Sequence, residues 1–132
     1  MARTETVPKA RFAVYLRRAE DFASQMEQAA ASQAWNSVGL LAIHSTISSC
    51  DALTVFHAGQ RWSGQDHAGL RHLVESLGLP NSAGVLRQIS NILSLKNRVE
   101  YESREFLAKE AKDLQKEASR VLAWVRLNLP QG

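Results

Sequence analysis

The segment that decides the fold is Ala34–Ala58, AWNSVGLLAIHSTISSCDALTVFHA. The pattern predicts a helix over this whole range, with apolar residues on nearly every side. Between Trp35 and Phe56 its only charged residue is Asp51. A helix that is apolar on most sides belongs in the centre of a bundle, because a surface helix needs a polar face. We therefore predict that this helix is the central helix of an all-α fold.

Amphipathic segments lie on both sides of the central helix. Apolar residues recur at three- and four-residue steps over about 9–31, which predicts a first surface helix. A shorter third helix is predicted over Asp66–Leu77, with Gly78 ending it, and a fourth begins near Ser82. No segment alternates with period two for long enough to predict a sheet.

The last helix carries a heptad seam with steps of four and three residues. The members of the seam are Leu107, Ala111, Leu114, Ala118, Val121 and Val125. Core packing explains this seam most simply, and dimerisation is the alternative. Whether the fourth and fifth helices are continuous or bend near Tyr101–Ser103 stays open. The sequence thus predicts an all-α bundle of four or five helices, one domain over 1–132, with a flexible segment at 1–8.

Composition limits the classes of function. The chain has 132 residues, a net charge of +3 and a single cysteine, Cys50. A basic chain permits an anionic partner, and one cysteine excludes an intrachain disulfide or a multi-cysteine metal site. The longest apolar run, about Val38–Ile43, is too short to span a bilayer, and the first residues contain no apolar signal segment. We expect a cytoplasmic protein that makes no membrane contact.

The histidines and Cys50 give no indication of metal or thiol chemistry. His67 and His72 are five residues apart, and His44 and His57 also fall on different faces of one helix, so neither pair has the one-turn spacing of a helical zinc site. We therefore expect no metal and no cofactor. Cys50 lies mid-helix without a neighbouring cation, which favours a small buried side chain over a nucleophile.

Two polar features remain as candidates for a binding site. Asp51 is an isolated carboxylate that must be paired, hydrogen-bonded or next to a polar cavity, because unpaired burial is unfavourable. The segment 96–102, KNRVEYE, is the densest polar cluster beside an apolar helix. Asn97 and Tyr101 share a helix face, whereas Lys96 lies about 140° from Tyr101. A solvated helix surface is the alternative interpretation of this cluster.

Two stretches resemble the HEPN superfamily. The run Ala42–Leu53, AIHSTISSCDAL, resembles the second helix of that family, and Asp66-His67 resembles a polar-histidine feature that follows it. The run Leu95–Tyr101, LKNRVEY, falls where the family keeps its Arg-polar-x-x-x-His motif. The resemblance covers nearly the whole chain in helix order, and it implies a helical bundle that forms a homodimer.

The resemblance also implies a class of activity. In active family members the motif arginine and histidine face a cleft at the dimer interface and cleave RNA without a metal. Other members bind nucleotides or RNA, or act as partners of small nucleotidyltransferases in toxin–antitoxin pairs. Here Lys96 stands at the arginine position, Asn97 at the polar position and Tyr101 at the histidine position.

These departures weaken the case for catalysis. Tyrosine titrates near pH 10 and is a poor general base at neutral pH, and lysine lacks the bidentate fork of arginine. The resemblance therefore implies a catalytically degenerate domain that binds RNA, a nucleotide or a protein partner. Its groove would be lined by Lys96, Asn97 and Tyr101. Nearby, ligand-binding roles would fall to Arg98, Asp51 and His44.

Two alternatives stay open at this point. One is a metal-independent ribonuclease toxin, in which Tyr101 takes the role of histidine. The other is a structural dimerisation bundle that binds no ligand.

Overall fold

A computed structural model of the chain describes residues 3–102 and 104–130, and for residues 97–101 it describes the helical backbone alone. Five α-helices make up most of the described residues and confirm the predicted all-α bundle. The elements, in chain order, are β1 Thr4–Thr6, a 3₁₀ turn Lys9–Arg11, α1 Phe12–Ala31, α2 Trp35–Ala58, β2 Gln60–Trp62, α3 His67–Glu75, α4 Ala83–Tyr101 and α5 Ala108–Leu127.

The helix α2 is the centre of the bundle, as predicted. It packs against each of the other four helices, and 14 of its 24 residues are buried. By length and composition alone α2 could cross a membrane, but 78% of its most apolar window is buried within the bundle. This burial marks it as the core helix around which the amphipathic helices place their apolar faces.

The helices α2 and α5 run side by side in the same direction. At one end the backbone N–H of Phe106, just before α5, donates to Asn36 Oδ1 over 2.9 Å. At the other end the His57 ring lies 2.7 Å from the carbonyl oxygen of Asn128. The helix α4 runs opposite to α5 and packs against α2, α3 and α5. The connection between α4 and α5 therefore lies beside the N-terminal end of α2.

The boundary between the last two helices is now defined. The helix α4 ends at Tyr101 and α5 begins at Ala108, so the two are separate helices. Five members of the predicted seam, from Ala111 onward, are buried. The prediction was wrong for Leu107, which is 67% exposed because it precedes the first turn of α5 in extended backbone.

A small two-stranded sheet, which the sequence did not predict, accompanies the helices. The strands β1 and β2 pair antiparallel, with Thr4 opposite Trp62 and Thr6 opposite Gln60. The chain leaves α2 through Gly59, whose φ of 64° is left-handed backbone that favours glycine. Strands of three residues are too short to show an alternating pattern, and β1 lies within the first eight residues, for which we expected flexibility.

The contact between Gly39 and Phe106 gives a test of the packing at this end of α2. A Cβ added at Gly39 would lie 2.4 Å from the Phe106 ring, which is buried, whereas a Cβ at Gly84 would meet nothing closer than 3.9 Å. We expect Gly39→Ala to destabilise the protein by about 1–3 kcal/mol through overpacking. Gly84→Ala should instead stabilise α4 by up to about 1 kcal/mol. Thermal or urea denaturation measures both, and equal effects of the two substitutions would contradict this packing.

Candidate functional site

A cleft between α3 and α4 brings together the polar side chains most suited to a ligand. Its volume is about 260 Å³. The lining residues are Asp66, His67, Ala68, Arg71, Ser90, Leu93 and Ser94. The chain reaches the cleft through Asp66, whose carboxylate caps α3 by accepting from the Ala68 N–H over 2.9 Å. This cap fixes where α3 begins and hence which of its residues face α4.

Two pairs of residues, each one helical turn apart, line opposite sides of this cleft. His67 and Arg71 come from α3, and Ser90 and Ser94 come from α4. Side chains separated by four residues lie on the same face of a helix, so each pair forms a short polar row. The cleft therefore combines a cation and two hydroxyls with the apolar side chain of Leu93, whereas both ring nitrogens of His67 are buried.

Arg71 and the two serines use only part of their hydrogen-bonding capacity. Arg71 Nη1 lies 3.3 Å from Glu75 Oε1, and a guanidinium has further N–H donors to offer. The Ser94 hydroxyl donates to the Asn91 carbonyl oxygen over 2.8 Å. The Ser90 hydroxyl makes no hydrogen bond within the described parts of the chain. A cation beside a hydroxyl donor, here Arg71 beside Ser90, is an arrangement that binds an anionic group such as phosphate.

The sequence-predicted motif lies further along the same helix. Positions 90, 94, 97 and 101 follow each other at steps of four, three and four residues on α4, so positions 97 and 101 continue the row that begins in the cleft. The side chains of Asn97, Arg98 and Tyr101 lie outside the described residues. Lys96 is partly buried on α4 and does not line the cleft.

Asp51 occupies a different place, on the side of α2 that faces β2. Its carboxylate is 6% exposed and lies 3.3 Å from Arg61 Nε, so it forms the ion pair that the sequence left as one of two interpretations. Arg61 also reaches Glu5 on β1, with Nη1 3.1 Å from Oε1. Its guanidinium lies 5.8 Å from the centre of the Tyr15 ring on α1. Arg61 thus joins the central helix to both strands and to α1.

Burial opposes the charged forms of both Asp51 and Arg61, but the resulting changes in pKa differ. Burial raises the pKa of Asp51 to about 6, and the charge and hydrogen bond of Arg61 offset only part of that rise. Burial also opposes the charge of Arg61, but the nearby Asp51 and the hydrogen bond to Glu5 outweigh it and raise the pKa of Arg61. Arg61 therefore stays charged, while Asp51 is ionised at neutral pH and protonated below about pH 6.

Among the described residues, the carboxylate of Asp51 is paired with Arg61 on β2. Phe106 packs on Gly39, which puts the connection after α4 beside the first turns of α2. Asp51 is twelve residues further along α2 than Gly39, or about 18 Å along the helix axis. The grouping of Asp51 with positions 96–101 stays a prediction, since the side chains of 97–101 lie outside the described residues.

The structure also places the two other α2 residues that the sequence analysis discussed, His44 and Cys50. The ring of His44 packs 5.8 Å from that of Phe22 on α1, centre to centre, and does not line the α3–α4 cleft. Cys50 is fully buried, and burial raises the pKa of its thiol with a smaller contribution from Asp51. A buried thiol with a raised pKa is a packing group, as the sequence predicted.

Sequence reasoning missed the α3 side of the cleft. It examined His67 as a metal ligand and, with Asp66, as part of the HEPN resemblance, but it did not consider Arg71, Ser90 or Ser94. The one-turn spacing of His67 and Arg71 was a signal that could have found one polar row. Which helix faces that row depends on how α3 and α4 pack together, and periodicity along a single helix does not supply that information.

Comparison of the chain with protein-family models, curated proteins and solved structures found no match.

Proposed function

We propose that this protein is a HEPN-like helical domain that binds a nucleotide or RNA, with a phosphate group held in the cleft between α3 and α4. The observation that carries the proposal is the opposition of His67 and Arg71 on α3 to Ser90 and Ser94 on α4. Arg71 provides charge and hydrogen bonds for a phosphate, Ser90 provides a further hydroxyl donor, and Leu93 provides an apolar surface for the rest of the ligand.

The spacing of positions 90, 94, 97 and 101 on α4 also supports a nucleotide- or RNA-binding site here. Positions 97 and 101, which carry the degenerate family motif, continue the row of Ser90 and Ser94 along the helix. A ligand in the cleft that extends toward the C-terminal end of α4 would therefore pass along the motif positions. This continuity links the sequence resemblance to a cavity lined by described residues.

The proposal makes this site a binding site with little or no catalysis. Lys96 and Tyr101 lack the arginine fork and the near-neutral base of the active motif. The proposal also includes the homodimer and the nucleotidyltransferase partner that the resemblance implies. Light scattering of the purified protein tests the dimer, and co-purification with the product of a neighbouring nucleotidyltransferase gene tests the partner.

The experiment for the cleft compares two arginines. Arg71→Gln removes a charged donor from the cleft, while Arg87→Gln removes an exposed arginine of α4 that does not line it. We expect Arg71→Gln to weaken binding of a nucleoside monophosphate about tenfold, because a hydrogen bond to a charged group contributes about 1.5–3 kcal/mol. Arg87→Gln should bind as the wild type does.

Calorimetric titration with adenosine and uridine monophosphates measures this binding, and a rise in melting temperature reports it independently. Absence of any binding, or equal weakening by both substitutions, would reject the cleft as the site. Incubation of the wild-type protein with labelled RNA tests the catalytic part. Cleavage that Tyr101→Phe abolishes would identify a ribonuclease in place of a binding domain.

A further inference from the structure

We infer that the exposed face of α5 binds the phosphate backbone of a single-stranded nucleic acid. This face carries Lys112, Lys116 and Arg120, which we call the α5 basic row, and all three side chains are exposed. Residues four apart on a helix advance about 6 Å along its axis, so the row presents three cations in line over about 12 Å. The inference adds a second surface, separate from the α3–α4 cleft, to the nucleic-acid binding that the proposed function includes, and it does not depend on the cleft.

The cations of the row differ in their pairing from the other cations of α5. Within residues 3–102 and 104–130, none of the three forms an ion pair. Other cations of the same helix do: Lys109 Nζ lies 2.9 Å from Asp113, and Arg126 lies 2.8 Å from Glu20 on α1. The three cations of the row are thus available to a partner, while Asp113 beside them is paired with Lys109.

The acidic groups nearest to the row are held by hydrogen bonds to other residues. Glu27 of α1 accepts from Gln115 Nε2 over 2.8 Å, and Glu117 accepts from Asn91 Nδ2 of α4 over 3.0 Å. Lys112 is placed over the ring of Trp35, with Nζ 5.4 Å from the ring centre. This contact holds one end of the row near the start of α2, since a cation over an indole face is attracted to it.

The surface between these residues is shaped for an extended ligand. A shallow groove of about 620 Å³ runs along α5. Its lining residues are Glu27, Lys112, Gln115, Lys116, Ser119, Arg120 and Ala123. The short side chains of Ser119 and Ala123 leave space that the longer cationic side chains border. A single anion would meet one cation here, whereas successive phosphates of a strand would meet all three.

The row is separate from the cleft. The helix α4 packs against both α3 and α5, and α3 makes its helix contacts with α2 and α4. The α3–α4 cleft and the α5 basic row therefore lie on different sides of α4. Substitutions in one surface should leave the other intact, so the two proposals can fail separately.

The test uses a fluorescein-labelled 20-nucleotide oligouridylate and fluorescence anisotropy at several salt concentrations. Three phosphate contacts on a single strand predict a slope of about −2 in log K against log salt, which is roughly a 20-fold loss of affinity between 50 and 200 mM salt. The variant K112Q/K116Q/R120Q should bind at least about tenfold more weakly at 50 mM salt and lose most of that slope.

The control removes the same net charge from exposed arginines elsewhere, in the variant R11Q/R17Q/R87Q. We expect the control to keep most of the affinity, and circular dichroism should show that both variants remain helical. No binding of the oligonucleotide, or equal weakening by the two variants, would overturn the inference. Displacement of the oligonucleotide by an equal concentration of poly-glutamate would also overturn the inference, since it would indicate an acidic protein partner.

Discussion

Replacement of Arg61 by leucine is expected to lower the free energy of unfolding by about 2–3 kcal/mol at pH 8. The substitution leaves the Asp51 carboxylate, which is 6% exposed, without its cation. Removing one partner of a fully buried ion pair is worth about 3–5 kcal/mol, and we expect less because the side chain of Arg61 is 34% exposed and water can enter in its place. Urea denaturation at pH 8 measures the loss.

The pH dependence of this loss identifies its cause. Without Arg61 the pKa of Asp51 should rise further above about 6, since the neighbouring cation is one of the effects that lowers it. At pH 5 Asp51 is then protonated, and most of the lost stability should return. The control is Arg87→Leu, which removes an exposed arginine that has no ion pair among the described residues. A loss for Arg61→Leu that is the same at pH 5 and pH 8 would show that packing, and not charge, is responsible.

Asp51→Asn is expected to gain stability relative to the wild type as the pH rises. This trend is the opposite of the one expected for Arg61→Leu. The pKa of Asp51 is raised from 3.8 to about 6 in the folded protein. A raised pKa means that the folded state holds the proton more tightly, so this stabilisation is complete below about pH 4 and is lost as the pH rises through 6. Two pKa units correspond to about 3 kcal/mol. Asparagine does not titrate, and its side-chain oxygen can still accept from Arg61.

Urea denaturation of the wild type and the Asp51→Asn variant between pH 4.5 and pH 8 tests this expectation. The difference in stability should change by about 2–3 kcal/mol across the series, in favour of the variant at the higher pH. Cys50→Ala is a suitable companion, since it alters a buried neighbour of Asp51 without removing a charge at these pH values. Parallel profiles for the wild type and Asp51→Asn would contradict the raised pKa.

The sequence was most informative where a whole helix face repeats one type of residue. The central position of α2 follows from its nearly complete apolar surface, and the burial of Val121 and Val125 on α5 follows from a seam sustained over several turns. Such patterns average over many residues, so one exception leaves them intact. Leu107 was the exception, because it stands where the helix has not yet begun.

The polar contacts between distant segments could not be predicted in the same way. An isolated aspartate in an apolar helix shows that a partner is needed, but not that the partner is Arg61, which becomes a neighbour only after Gly59 reverses the chain. The α3–α4 cleft depends likewise on how two helices face each other. Periodicity along one helix gives the direction of a side chain, whereas a site requires the relative position of several elements.

Trp62 has a further consequence for the study of this protein. Its indole packs so closely on Gly69 of α3 that a Cβ there would lie 2.1 Å from the ring, and its Nε1–H donates to the carbonyl oxygen of Asp66 over 2.7 Å. Asp66 also lines the cleft, so the indole is hydrogen-bonded to a lining residue without lining the cavity itself. Emission from this tryptophan, recorded with Trp35 and Trp124 replaced by phenylalanine, therefore offers an optical signal for occupancy that needs no attached dye.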